Sequence, residues 1–205
     1  MSETKGGTQI PPDRRPVVLV GMMGAGKSVV GRCLARRLGL EFRDSDGEIE
    51  MASRMSIPDL FALYGEAEFR ALEHRVIRRL LRQDAIVLAT GGGAFANDVT
   101  RAEIEAAGVS VWLRADLDTL YERVSRRSHR PLLQAEDPRA VLAGLLAARE
   151  PTYAQADITV ATGSQPLSVV VDQVLEALAK HRMRAAGSVR SKMSSQILQI
   201  ESRSA

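Results

Sequence analysis

The sequence has little cysteine and no long apolar run. Only Cys33 among its 205 residues is a cysteine, so no disulfide can form within the chain, and a single thiol suits a reducing compartment. No apolar stretch approaches the roughly 18 residues of a membrane-spanning helix. Residues 1–7 are polar and do not resemble a secretion signal. From these absences we expect a cytoplasmic protein that does not associate with a membrane.

Excess positive charge is confined to the C-terminal end. The formal net charge is +3, and residues 183–205 alone supply +3, from four basic residues against one glutamate. The rest of the chain is balanced, which argues against a basic surface for nucleic acid. The basic run at residues 123–130 contains no Phe, Trp or Tyr that could stack on bases, and it is also typical of a solvated helix face. We therefore expect no nucleic-acid partner.

Residues 21–28, GMMGAGKS, organise the rest of the sequence. They fit the P-loop pattern of a glycine, four residues, a glycine, a lysine, and a serine or threonine. An apolar, partly β-branched run at residues 16–20 precedes the P-loop and predicts a buried strand. Apolar residues at helical spacing follow it, and Gly39 is expected to end that helix. The motif therefore lies between a strand and a helix.

This placement has a direct chemical meaning. The glycines let the backbone curl, so that N–H groups and a helix N-terminus form an anion site. Lys27 can reach the β- and γ-phosphates of a nucleotide, and the Ser28 hydroxyl can ligate Mg²⁺. We therefore expect a nucleoside triphosphate at this loop, with Mg²⁺ as the cofactor.

Strands and helices alternate along the remaining chain. Further strands are predicted at residues 41–44, 85–89, 109–113 and 157–160, and helices at 98–107, at 138–149 before Pro151, and from 167 to about 179. Alternation of this kind predicts a doubly wound parallel sheet with right-handed crossovers. Ligands of such sheets bind beyond the carboxyl ends of the strands. We therefore expect the P-loop, Asp44 with Asp46, and the glycines at residues 91–93 to share one cleft.

Five short motifs occur in order: GMMGAGKS, FRDSD, FRALE, LATGGGA and RPLL, followed by Arg149 shortly before a proline. Over residues 17 to about 178 this set resembles the shikimate kinase family. The resemblance implies transfer of the γ-phosphoryl group of ATP to the 3-hydroxyl of shikimate, on the route to chorismate and aromatic amino acids. It also implies a monomer.

The family fold is an α/β P-loop NTPase, a three-layer α/β/α domain with a central parallel sheet, related to nucleoside monophosphate kinases. Here it would cover residues 16–182, with a small helical substrate-binding part at about 44–75 and a mobile lid at about 123–136. Outside this domain, the polar leader at residues 1–15 is expected to be disordered. So is the basic, serine-rich tail at 183–205, for which a partner-binding helix is the alternative.

The resemblance also implies roles for individual residues. Catalysis would rest on Lys27, Asp46 and Arg130, the last reaching the phosphates from the lid. The nucleotide phosphates would be held by Arg130 together with the P-loop residues Gly24, Ala25, Gly26, Lys27, Ser28 and Val29. Magnesium would be held by Ser28, with Asp44 in its outer shell. Shikimate would be bound by Asp46, Arg70, Gly92 and Arg149, and adenine would lie near Gln165 and Pro166.

Each assignment has a structural alternative that the sequence leaves open. Asp44 or Asp46 can cap the helix that follows them. Arg70 can form a surface pair with Glu66, four residues earlier. Arg149 can complement the dipole at a helix end. Two other functions also stay open: another small-molecule P-loop kinase such as gluconate kinase, or a nucleotide-dependent regulatory protein.

Overall fold

A computed structural model describes residues 15–83, 85–126 and 136–201, with side chains as far as residue 187. Its sheet has five strands: β1 (Val17–Val20), β2 (Glu41–Asp44), β3 (Ile86–Ala89), β4 (Val109–Arg114) and β5 (Ile158–Ala161). They lie in the order β2-β3-β1-β4-β5, and every pairing is parallel. All side chains of β1 and β3 are buried, as their continuous apolar runs predict for central strands.

Within the described residues, seven α-helices connect and follow the strands. They are α1 (Lys27–Leu38), α2 (Ser45–Ser53), α3 (Ile57–Leu81), α4 (Asp98–Ala107), α5 (Leu117–Ser125), α6 (Pro138–Tyr153) and α7 (Leu167–Glu201). Helices α1 and α7 pack together against the sheet, whereas α3 and α4 pack together with α4 lying against β4. The result is the three-layer α/β/α arrangement that the sequence predicts. Among the described helices, none is both long and apolar enough to cross a membrane.

Individual residues cap the ends of several helices. Gly39 ends α1 as predicted, in the left-handed region with φ of 67°. Ser56 caps α3, accepting a hydrogen bond from the Asp59 N–H, and Asp116 caps α5 in the same way. Helix α3 contains a non-helical residue, Gly65, with φ of 78°, so a short first segment and a long second segment meet there at a kink.

Helix α6 does not end before Pro151, and that prediction was wrong. Pro151 lies inside the helix, which continues to Tyr153. A proline in a helix interior removes one backbone hydrogen bond and typically destabilises the helix by about 3 kcal/mol. Burial of the Tyr153 side chain offsets this cost, and a local backbone bond from the Ala154 N–H to the Glu150 carbonyl oxygen closes the last turn. The last turn of α6 is therefore held in place by packing rather than by local propensity.

The C-terminal end also differs from the prediction of a disordered tail from residue 183. Helix α7 continues to Glu201 instead of ending near residue 179. Extending an existing helix adds one hydrogen bond for each residue fixed, and residues 180–201 contain no proline to interrupt it. The side chains of residues 183–187 are exposed. The predicted leader at residues 1–15 lies outside the described residues except for Arg15.

The exposure of residues 183–187 leads to a prediction about truncation. Removing residues 183–205 should change the thermal unfolding midpoint by no more than about 2 °C, because no buried side chain of the described domain is lost. A truncation that starts at Leu178, which is fully buried, is the matched control and should lower the midpoint by several degrees. A large loss of stability from the shorter truncation would mean that the tail packs on the domain.

Candidate active site

The P-loop has the shape that its glycines predict. Gly21 has φ of 133°, and a Cβ added there would lie 2.7 Å from the Leu113 carbonyl oxygen. Gly26 precedes α1 with φ of 93° and has no side chain to cap the helix. The first N–H groups of α1 therefore face the loop without a capping side chain, which is the arrangement that binds phosphate.

The Lys27 side chain folds back onto the backbone of the P-loop. This side chain is largely buried, and Nζ donates hydrogen bonds to the carbonyl oxygens of Gly21 at 2.7 Å and Met22 at 2.9 Å. These bonds hold the ammonium charge beside the helix N-terminus, where anions are stabilised. A bound phosphate would thus meet a positive charge that is already in position.

Ser28 and Asp44 lie together at the mouth of the P-loop. The Ser28 hydroxyl donates to Asp44 Oδ2 at 2.6 Å, and Asp44 Oδ1 accepts from the Asp46 N–H at 3.2 Å. Asp44 is therefore both the cap of α2 and a neighbour of Ser28, so the capping alternative is correct and leaves Asp44 in contact with the P-loop serine. The paired hydroxyl and carboxylate oxygens are hard donors of the kind that Mg²⁺ takes beside nucleotide phosphates, so these residues fit that ion. Among the described residues, no cluster of three or more His, Cys, Asp or Glu side chains forms a separate metal site.

The glycine turn (residues 91–93) meets groups from both sides, as its three glycines predict. A Cβ added at Gly91 would lie 2.7 Å from both Asp46 Oδ1 and Glu73 Oε1. At Gly93 it would lie 2.5 Å from the Arg70 guanidinium. At Gly92 it would lie 3.3 Å from a backbone nitrogen of the P-loop. The turn therefore lies close to both the P-loop backbone and a cluster of acidic and basic side chains, and a larger residue at Gly91 or Gly93 would displace those side chains.

Arg70 contacts two carboxylates at this turn. Its Nη1 donates to Glu73 Oε2 at 2.7 Å, and its Nη2 lies 3.2 Å from Glu66 Oε1. The surface-pair alternative is thus correct for Glu66, which is 70% exposed, yet it describes only part of the contacts. The buried partner, Glu73, holds the guanidinium against Gly93. Arg70 also lies over the Phe69 ring, 5.2 Å from its centroid, a cation–π contact that favours the same orientation.

Glu73 is a buried acid in a tightly packed setting. Its Oε1 is buried without a hydrogen-bond partner in the described part of the chain. Burial raises the pKa of the Glu73 carboxyl above its ordinary value, although the hydrogen bond and charge of Arg70 act in the opposite direction. The Asp46 carboxylate raises this pKa further. A proton on Glu73 is therefore held more tightly than in an exposed glutamate.

Helix α6 brings Arg149 and Tyr153 to the glycine turn. Arg149 Nη1 donates to the Gly92 carbonyl oxygen at 3.3 Å, and the Tyr153 hydroxyl donates to the same oxygen. Burial raises the pKa of Tyr153, with a smaller opposite effect from Arg149, so the hydroxyl keeps its proton and acts as a donor. Because α6 continues beyond Pro151, Arg149 lies before the last turn, which weakens the helix-dipole alternative.

The cleft between these elements has a volume of about 840 Å³. Its lining includes most of the predicted site: Gly24, Ala25, Gly26, Lys27, Ser28, Val29, Asp44, Asp46, Gly92 and Gln165. Arg70 and Arg149 do not line this cleft, and they reach the glycine turn from other directions. Pro166 is not among the lining residues either, whereas Arg130 and the RPLL motif lie outside the described residues.

Sequence reasoning missed three residues that contact the site. Glu73 could have been predicted from the sequence, because it belongs to the FRALE motif and follows Arg70 by three residues. That spacing places both residues on one helix face. Tyr153 was hidden by the expected helix end at Pro151. Arg123 donates to the carbonyl oxygens of Gly24 and Gly163; these partners are distant in sequence, so no local pattern indicates them.

The raised pKa of Glu73 predicts a pH-dependent stability. Above its ordinary value near 4.5, the folded state keeps a proton that the unfolded chain has lost. The free energy of unfolding should therefore fall as the pH rises through the interval between the unfolded and folded pKa values. Glu73→Gln removes this titration, so urea unfolding at a series of pH values should show the variant gaining stability relative to the wild type as the pH rises.

The matched control for that series is Glu68→Gln on the same helix. Glu68 is exposed to water and does not belong to the groups that shift the pKa of Glu73, so this variant should keep the pH dependence that Glu73 gives the wild type. If the free energy of unfolding changed with pH in the same way for the wild type and Glu73→Gln, the account of a buried glutamate that retains its proton would be contradicted.

Comparisons with known proteins agree with this geometry. Residues 23–179 match the family model described as shikimate kinase. The chain is 55% identical over 174 residues to a shikimate kinase of Rhizobium leguminosarum bv. trifolii, covering 85% of this chain and 89% of that protein. It is 55% identical over 167 residues to one of Mesorhizobium japonicum, covering 82% of each. The solved shikimate kinase from Acinetobacter baumannii in complex with shikimate is 39% identical, with a TM-score of 0.77 over 80% of this chain and 92% of that one. Because the family model spans most of the chain and these relatives share more than half of the aligned residues, the chain belongs to the shikimate kinase family.

Proposed function

We propose that the cleft transfers the γ-phosphoryl group of ATP to the 3-hydroxyl of shikimate, giving shikimate 3-phosphate and ADP. The observation that carries this proposal is the glycine turn, which lies against the P-loop backbone at Gly92 and against Asp46 and Arg70 at Gly91 and Gly93. Arg149 bonds to the Gly92 carbonyl oxygen of the same turn. The P-loop suits the phosphates of a nucleotide, and the carboxylate with two guanidinium groups suits an acidic, hydroxylated acceptor. The family of the chain supports the same reaction. From that resemblance and the single cysteine, we also propose a cytoplasmic monomer.

On the nucleotide side, residues 24–29 would bind the phosphates through backbone N–H groups. Lys27 would exchange its bonds with the Gly21 and Met22 carbonyl oxygens for bonds with the β- and γ-phosphates. The phosphate oxygens carry negative charge whereas the carbonyl oxygens are neutral, so Coulomb attraction to the ammonium group favours the exchange. Arg130 would add a second positive charge from the lid. Phosphoryl transfer depends mainly on such positioning and charge neutralisation.

Ser28 and Asp44 would hold Mg²⁺ that arrives with ATP. Ser28 would bind it directly, and Asp44 would act in the outer shell. Their hydrogen bond already brings the two oxygens together. When bound, the ion would neutralise charge on the β- and γ-phosphates.

On the acceptor side, the guanidinium groups of Arg70 and Arg149 would bind the shikimate carboxylate. Guanidinium groups form paired hydrogen bonds with carboxylates, which fixes the orientation of the ring. The Gly92 backbone would complete this pocket. Asp46 would accept a hydrogen bond from a ring hydroxyl and take its proton at a carboxylate oxygen as the oxygen attacks the phosphoryl group. Glu73 would keep Arg70 facing Gly93 during binding.

The direct test is ADP release from ATP and Mg²⁺ with several acceptors assayed in parallel. We expect kcat/KM for shikimate to exceed that for gluconate or nucleoside monophosphates by at least about 100-fold, since polar groups in the acceptor pocket would be left unpaired by the wrong substrate. Comparable turnover with gluconate would instead support the other small-molecule kinase hypothesis. Tight nucleotide binding without turnover of any acceptor would support a regulatory protein.

The proposed role of Asp46 predicts a selective loss. Asp46→Asn removes the proton acceptor, so kcat with shikimate should fall by about 10²- to 10⁴-fold. The affinity for ATP should stay unchanged, because the P-loop does not depend on this carboxylate. Steady-state kinetics and calorimetric titration of a nucleotide measure the two quantities. Asp98→Asn is the matched control, since that carboxylate is 87% exposed at the start of α4. Near-normal turnover by Asp46→Asn would show that the assigned role is incorrect.

A further inference from the structure

Tyr153 is a buried tyrosine whose hydroxyl contacts both the glycine turn and the P-loop. The residue is 1% exposed, and its ring stacks on Trp112 with the centroids 5.9 Å apart. The hydroxyl donates to the Gly92 carbonyl oxygen and lies 3.8 Å from the Met22 sulfur in the P-loop. A buried tyrosine hydroxyl needs a hydrogen-bond partner, and here the partner is a backbone atom of the glycine turn.

The Gly92 carbonyl oxygen accepts from two donors, Tyr153 and Arg149. A carbonyl has two lone pairs, so both bonds can form together. The two donors differ in what else they can do. The tyrosine hydroxyl is held in place by its buried ring, whereas the guanidinium has further N–H groups and would be required by the substrate.

We infer that Tyr153 is a positioning residue for acceptor binding: its hydroxyl keeps the Gly92 carbonyl paired and so allows Arg149 to turn from that carbonyl to the substrate carboxylate. This inference rests on the proposed function of Arg149. Without the hydroxyl, Arg149 would be the remaining donor to Gly92 among the described residues. Moving it to the substrate would then leave a partly buried carbonyl unpaired, which opposes binding.

The nucleotide side should be insensitive to the same change. The Met22 carbonyl oxygen accepts from the Ala25 N–H at 3.2 Å. This backbone bond within the P-loop remains when Lys27 turns to a phosphate, and it does not involve the Tyr153 hydroxyl. Loss of the Tyr153 hydroxyl should affect acceptor binding and leave ATP binding as it was.

The experiment begins with Tyr153→Phe, which keeps the ring on Trp112 and removes only the hydroxyl. We expect the KM for shikimate to rise about three- to tenfold, the effect of one hydrogen bond. The KM for ATP should not change, and kcat should stay within about twofold of the wild type. Tyr121→Phe, at a half-buried position in α5, is the matched control and should behave as the wild type. Calorimetric titration with shikimate below the unfolding midpoint of each variant checks that KM reports binding.

A double-mutant cycle with Arg149→Ala separates positioning from packing. If Tyr153 acts through Arg149, adding Tyr153→Phe to Arg149→Ala should not raise the KM for shikimate further. An unchanged KM in Tyr153→Phe overturns the inference, and so does an equal increase in the Arg149→Ala background. If Arg149→Ala itself leaves this KM unchanged, the inference also fails, together with the role proposed for Arg149. Failure of the proposed reaction would look different, because the wild type would not turn over shikimate at all.

Discussion

The close approach of the glycine turn to its neighbours is the constraint on which the cleft depends. On one side, Gly92 packs against the P-loop backbone. On the other, Gly91 and Gly93 face the side-chain ends of Asp46, Glu73 and Arg70, which a Cβ at either position would displace. The glycines therefore let the turn approach both the P-loop backbone and these charged groups closely. Reacting atoms must meet within about 3.5 Å for efficient transfer, and close packing of this kind is how a protein can provide that.

Positive charges around the turn are held by acceptors of the protein itself. Lys27 bonds to two P-loop carbonyl oxygens, Arg149 to that of Gly92, and Arg70 to Glu73. Each cation is thus oriented before an anionic ligand arrives, which reduces the entropy lost on binding. When a ligand takes one of these donors, the carbonyl or carboxylate oxygen that loses it must still have another hydrogen-bond donor. Tyr153 meets this requirement at Gly92 in our account.

The sequence predicted the features that depend on local pattern. The P-loop, the strand before it, the cap at Asp44 and the crowded glycine turn are each encoded within a few consecutive residues, and the structure brings them together as expected. Tyr153 and Arg123 escaped prediction because their partners lie far away in sequence. The end of α6 was wrong for a related reason, since tertiary packing of Tyr153 outweighs the local effect of Pro151. Similarly, composition alone does not tell a disordered tail from a helix that simply continues.

The most direct test of the central claim is a crystal structure of the protein with shikimate, ADP and Mg²⁺. The account predicts that the substrate carboxylate binds the guanidinium groups of Arg70 and Arg149. It also predicts that a ring hydroxyl faces both Asp46 and the P-loop, and that the Tyr153 hydroxyl keeps its bond to Gly92. A shikimate molecule bound with its carboxylate toward the P-loop, or held without contact to either arginine, would contradict the account.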